Sequence, residues 1–210
     1  MIKYNHNSIP RRIPRYNMLD MDKLPRSFYK RKAIEVAPDL LGLLLVHETM
    51  QGTTAGIITE VEAYQGPEDK ACHAYNMRRT RRNEVMYGPA GIAYVYFIYG
   101  MHYCFNVVVA DEGLPHAVLV RSIEPLIGEE LMLERRKGKL PIATGPARLC
   151  QAMGISKQEN NADLVTSNLY IAKPPQDHRH FRIVQAPRIG IDYADEAKDF
   201  LWRFLLRPEA

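Results

Sequence analysis

The sequence predicts a single α+β domain, with a mainly antiparallel sheet flanked by helices. Three observations carry this. The 210 residues suit one domain with a sizeable core. Apolar residues make up 46% and charged residues 25%, the balance of an ordinary globule. Strand-like segments follow one another directly, instead of alternating with helices as βαβ units.

The elements follow in order. Residues 1–24 carry prolines and arginines ("IPRRIPRY") with little periodicity, and are expected to form an extended, basic N-terminal arm ahead of a domain at 25–210. A helix is expected from Ser27, capped by that residue, with Phe28, Ala33, Ile34 and Ala37 at helical spacing. Pro38 should end or restart it. "LLLVHE" and "TAGIITEVEAY" predict two strands joined by a turn near Gln51–Gly52. Residues 65–91 form a long connection punctuated by Gly66, Pro67, Gly88, Pro89 and Gly91, a length that is often functional. Strands are expected at about 92–98 and 103–110, with a turn at Tyr99–His102, and at His116–Pro125. "IGEELMLERRK" is an amphipathic helix. "TGPARLCQAMG" is a short one, with Pro146 in its first turn and Gly154 past its end. "FRIVQAPRIGI" and "DFLWRFLL" are late strands.

Composition also excludes function classes. No apolar run approaches the roughly 18 residues that span a bilayer. The start has no hydrophobic secretory core, and Asp20 and Asp22 count against a transit peptide. Cys72, Cys104 and Cys150 are odd in number and widely spaced. That argues against a disulfide framework, a zinc ribbon or an iron–sulfur cluster, and for a reducing, intracellular compartment. The net charge of +4 is uneven: residues 1–32 hold nine Lys/Arg and two Asp, a net of +7, leaving 4 − 7 = −3 for the rest. "RRTRR", Arg78–Arg82, is a second basic knot. Basic runs are compatible with a polyanionic partner and equally with plain solvation.

Two stretches carry the chemistry. In "TEVEAYQGPEDKACHA", Glu60, Glu62 and Tyr64 share one strand face by period two. That face is either solvated, with the Glu pair in surface ion pairs, or a cleft in which one Glu has a raised pKa and acts as a general base. His73 follows a Gly-Pro turn. Glu62 and His73 have no helical i, i+4 spacing and no obvious third partner for a metal. In "YVYFIYGMHYCFNVVV", Tyr94 and Tyr96 share a face, and Tyr99 falls at a hairpin tip. The rings either pad a core rim or offer a stacking platform for a flat ligand.

"EVEAYQGPEDKACHA", "RTRRNEVMYGPAGIAYVYFIYGMHYCFNVV", "AVLVRSIEP" and "TGPARLCQAMGI" together closely resemble the 3-methyladenine (alkyladenine) DNA glycosylase family, in order from about Phe28 to Phe204. The resemblance implies one mixed domain with a curved antiparallel sheet. It implies hydrolysis of the N-glycosidic bond of a damaged purine flipped out of double-stranded DNA. Glu62 then matches the general base for water. Arg121 and the main-chain carbonyl of Ile189 match the groups that position that water. Tyr64, His73 and Tyr96 match the walls around the flipped base, and Asn106 a gate at the purine 2-position. Tyr99 matches the residue that wedges into the minor groove. Arg78, Thr80 and Arg82 match a backbone-gripping loop, while Gly145, Pro146 and Arg148 lie at a helix N-terminus suited to phosphate.

Two departures stand out: Arg81 replaces an expected proline, and the end after Trp202 is short. With no lysine at the wall positions, a monofunctional enzyme is expected, a monomer with no cofactor or metal, cytoplasmic or nucleoid-associated if bacterial. The competing classes are a non-catalytic nucleic-acid-binding module and a metal-dependent hydrolase built on Glu60, Glu62 and His73.

Overall fold

The computed structural model describes residues 21–174 and 181–209. Of the expected arm, residues 1–20 lie outside the described residues. Its last residues are docked: Lys23 forms a bridge to Ala172 and Leu24 is buried.

Two helices come first, α1 (Arg26–Tyr29) and α2 (Ala33–Leu40). The single helix expected from Ser27 is therefore broken at Lys30–Lys32. Pro25, not Ser27, occupies the N-cap of α1, and no side chain caps it. Pro38 lies inside α2. In so short a helix it forfeits only one i→i−4 bond, to Ile34, and the helix ends two residues later.

The hairpin of β1 (Leu44–Thr49) and β2 (Gly52–Tyr64) follows, then three short 3₁₀ turns over residues 66–87. β3 (Ala93–Ile98) and β4 (His102–Val109) form the tyrosine-bearing hairpin, followed by β5 (His116–Ile127). Next come α3 (Glu129–Arg135) and α4 (Pro146–Met153), the latter closed by Gly154 in the left-handed region. The four-residue strand β6 (Leu169–Ala172) was not legible in the sequence; it is too short for a period to register. The late strands β7 (Phe181–Ala186) and β8 (Arg203–Pro208) are shorter than expected. Pro187 cannot extend the ladder, and a turn closed by the Trp202 N–H and the Phe200 carbonyl precedes β8.

All eight strands join one antiparallel sheet in the order β3-β4-β5-β2-β1-β6, with β8 pairing both β2 and β7. β2 organises it. β1 covers one of its edges over Gly52–Ile57, and β8 takes over the same edge at Glu60–Glu62. β5 runs along the other edge.

Alternation then sorts the two faces. Val61 and Ala63 of β2, Phe105 and Val107 of β4, and Val118 and Val120 of β5 point into the main core, where Ala37 and Leu40 of α2 and Leu149 and Met153 of α4 are also buried. The intervening residues, Glu60, Glu62, Tyr64, Asn106 and Leu119, occupy the opposite face, so helices hold the sheet from behind and leave this face for other work. The long 65–91 connection that overhangs it is knitted by two buried side chains. Asn83 accepts from the Thr80 N–H and hydroxyl, and donates to the carbonyls of His73 and Arg78. Asp69 accepts from the N–H groups of Gln65 and Ala71. Among the described residues no helix is long and apolar enough to cross a membrane.

Candidate active site

Register places the key side chains. Directly paired residues share a face, so Glu62, Leu119, Asn106 and Tyr94 form one row across β2, β5, β4 and β3. Tyr64 lies two residues beyond Glu62, and Tyr96, paired with Cys104, lies two beyond Tyr94.

Glu62 is fully buried, which overturns the alternative of a solvated Glu pair. Its Oε1 accepts the Ile189 N–H at 2.8 Å and lies 3.2 Å from Arg121 Nη1. Its Oε2 accepts the Tyr64 hydroxyl at 2.9 Å. Burial pushes this carboxyl above the ordinary carboxylate range, against the opposing pull of Arg121, the Ile189 N–H and the Tyr64 hydroxyl. A carboxyl with raised proton affinity is better suited to take a proton than an ordinary one.

Arg121 is placed by a β-bulge. Glu60 pairs with Ser122 and Val61 with Val120, so Arg121 is the extra residue on β5. The bulge turns both Arg121 and Ser122 toward Glu60. Burial by itself would raise the Glu60 carboxyl, but Arg121, Arg203 and Ser122 together bring it below its usual value. With its oxygens taken by guanidinium groups and a hydroxyl, Glu60 is poorly available to a metal. Among the described residues no group of three His, Cys, Asp or Glu side chains is arranged to hold one.

His73 arrives from the overhanging loop. Its Nδ1 is 2.9 Å from the Tyr94 hydroxyl, and its ring meets Tyr96 edge-on with centroids 4.7 Å apart. Burial, then the charges of Arg82 and Arg78, push its pKa down to about 4, so it is neutral at pH 7. Burial likewise holds the Tyr64 and Tyr96 hydroxyls protonated. Asn106 is buried and donates to the Tyr94 carbonyl at 3.1 Å. The structure thus brings Glu62, Tyr64, His73, Tyr96, Asn106 and Arg121 together. Ile189 joins them through its N–H, while its side chain is half-exposed.

Three groups belong to this site that the sequence did not single out. Tyr94, placed by the sequence on the face of Tyr96 but given no role of its own, is the hydrogen-bond partner of His73. Arg188 and Asp69 form a fully buried pair with a contact of 2.8 Å, across 119 residues of chain. The Arg188 guanidinium also lies 4.7 Å from the Tyr64 ring and 5.0 Å from the Trp202 ring, and donates to the Ala63 carbonyl. A lone arginine in "APRIGI" and a lone aspartate in a loop carry no local signal; only folding pairs them.

The remaining residues lie at the rim. Tyr99 is 81% exposed at the β3–β4 tip with a left-handed backbone, φ 52°, and Met101 beside it is 69% exposed. Arg78 and Thr80 are exposed. Arg82 is exposed too, with its guanidinium 5.0 Å from the Tyr96 ring and donating to the Phe97 carbonyl. Arg148 is exposed and bonded to the Thr144 carbonyl, whereas the Gly145 N–H is already engaged by Ser122 Oγ at 3.1 Å.

Comparisons with known proteins show the family. The family model described as methylpurine-DNA glycosylase (MPG) matches residues 27–210. The chain is 52% identical over 195 residues to a Clostridium acetobutylicum protein named "Putative 3-methyladenine DNA glycosylase", covering 88% of this chain and 94% of that one. Proteins of the same name from Desulfitobacterium hafniense (49% over 196 residues; 89% and 96% covered) and Chlamydia felis (48% over 188; 87% and 95%) are similar. The chain therefore belongs to the methylpurine-DNA glycosylase family, DNA repair hydrolases that cleave the N-glycosyl bonds of alkylated bases.

Proposed function

We propose that this enzyme flips a damaged purine of the 3-methyladenine, 7-methylguanine, hypoxanthine and ethenoadenine class out of duplex DNA, and hydrolyses its bond to the sugar. The observation that carries this reading is a fully buried carboxyl with raised proton affinity, Glu62, held beside a neutral histidine and two tyrosine rings. A flipped nucleotide costs a few kcal/mol of lost stacking and pairing. Stacking on Tyr64 and Tyr96 offsets it by about 1–3 kcal/mol per ring, more for a cationic base. His73, with Nδ1 turned to Tyr94, is left with Nε2 toward the base edge. Asn106 faces the purine 2-position and disfavours the amino group of guanine.

In the chemical step the bond from C1′ to the base nitrogen breaks and its electron pair leaves with the base. Positive charge develops on the sugar, and the Glu62 carboxylate stabilises it. A water oxygen forms the new bond to C1′ as Glu62 takes its proton; Arg121 and the Ile189 carbonyl hold that water. The products are the free base and an abasic site. Tyr99 fills the gap in the duplex. Arg78, Thr80, Arg82, Gly145 and Arg148 grip phosphates; Thr80, Arg82, Gly145 and Arg148 have internal contacts to exchange or share in doing so. With no lysine at the base-wall positions no covalent imine forms, so borohydride should trap no adduct. Every group comes from one chain, so a monomer suffices.

The decisive variant is Glu62→Gln, which keeps shape and removes the base. Release of 3-methyladenine or hypoxanthine from duplex DNA should fall at least about 100-fold, with DNA binding retained. Undiminished release would end this assignment, and binding without release by the wild type would favour a non-catalytic module instead.

A further inference from the structure

Glu60 is not needed to explain the reaction, yet its carboxylate is as fully engaged as that of Glu62 beside it. Its Oε1 accepts from Arg121 Nε at 2.9 Å and from Arg203 Nη1 at 3.1 Å. Its Oε2 accepts from Ser122 Oγ at 3.1 Å. Ser122 Oγ in turn accepts the Gly145 N–H at the start of α4, also at 3.1 Å. Arg121 completes the line by placing Nη1 3.2 Å from Glu62. An unbroken chain of contacts thus runs from the α4 N-terminus through Ser122, Glu60 and Arg121 to Glu62.

Arg121 stands between two carboxylates, and its preference sets the state of the base. Its Nε donates to Glu60 while its Nη1 lies 3.2 Å from Glu62, so the guanidinium is divided between two carboxylates. An arginine pairing with Glu62 alone would hold that carboxylate as a stable anion and weaken it as a base. We infer that Glu60 is a positioning residue: it fixes Arg121 beside the reacting water and draws off enough of its charge to leave Glu62 able to take a proton. This rests on Glu62 being the base.

The charged and titratable groups around the pair are Arg121 from β5, Arg203 from β8, Cys104 from β4, Arg188 from the loop before β8, and Tyr64 on β2. Among the described residues only Arg121 contacts both carboxylates. Glu60 also repels the Glu62 anion directly, which acts in the same direction.

Two variants test this, read by the pH profile of single-turnover release of 7-methylguanine, a cationic leaving group that needs no acid. Glu60→Gln keeps an oxygen for Arg121 but removes the charge. The acid limb, where activity is lost as Glu62 becomes protonated, should move to lower pH by about half a unit to one unit. The plateau rate should fall, by less than about tenfold, because a weaker base takes the proton. Glu60→Leu removes the anchor as well, and should lose about tenfold or more with no recovery at any pH, while DNA binding persists. A Glu60→Gln profile that superimposes on the wild type, or an acid limb moved to higher pH, overturns the inference. Running Glu62→Gln in parallel separates the two readings: if it retains release, the base assignment has failed; if it is inactive and Glu60→Gln is unchanged, only the role of Glu60 has failed.

Discussion

Glu62 and Tyr99 lie on the same sheet, a few strands apart, and obey opposite rules. Glu62 has no exposed surface and both oxygens are engaged before any substrate arrives. Tyr99 exposes most of its ring, and its backbone is in a region that non-glycine residues seldom adopt. On the proposed reading the floor of the pocket is preorganised because charge develops there during the reaction, and donors that must move into place at that moment contribute less. On the same reading the tip is unfinished because its partner is another molecule. An exposed ring adds little to the stability of the free protein and gains its contacts only on burial. The proposed function thus assigns the chemistry to a feature complete in the free protein and the contact with DNA to an incomplete one.

Three experiments break or sharpen that contrast. The largest effect should come from Arg188→Met, which leaves the fully buried Asp69 without its partner. Stability should fall by about 3–5 kcal/mol, lowering the thermal midpoint by roughly 10 °C, and residual activity should fall too, because Arg188 backs Tyr64 and adjoins Ile189. A midpoint unchanged within error would show that the floor is not braced this way. At the tip, Tyr99→Asn retains a residue that tolerates the left-handed backbone. Its thermal midpoint should match the wild type, while release from duplex DNA should fall about tenfold, the worth of one stacked ring. Release from single-stranded DNA should be unaffected. A destabilised protein, or an equal loss on both substrates, would contradict the wedge. The smallest effect concerns the basic arm. Deleting residues 1–20 should reduce the slope of DNA affinity against salt, as fewer counterions are released, without changing the rate of the chemical step. An unchanged slope would show the arm to be idle.

Much was legible in the sequence because local rules carry it. Period two put Glu60, Glu62 and Tyr64 on one face, and the structure keeps them there. Gly154 closed α4 where expected, and the hairpin turn at Tyr99 fell within a residue of its predicted place. Errors came where local rules compete. Ser27 and Pro38 were read as helix signals, but two short helices packed under the sheet leave neither in that role. "LYIA" was too short to show any period.

What the sequence by itself determined was the set of residues able to do this chemistry and the strand face that carries them, since alternation and turn residues act over a few positions. What the tertiary structure decided was their state. Glu62 became a buried carboxyl with raised proton affinity, as the proposed base requires, only when β5, with its bulge at Arg121, and the loop ending at Ile189 closed around it. His73 became a neutral wall only when the loop buried it against Tyr94 and Tyr96. The pairings that set those states, Glu60 with Arg121 and Asp69 with Arg188, span 61 and 119 residues. Burial and long-range charge fix protonation, and neither is a property of neighbours along the chain.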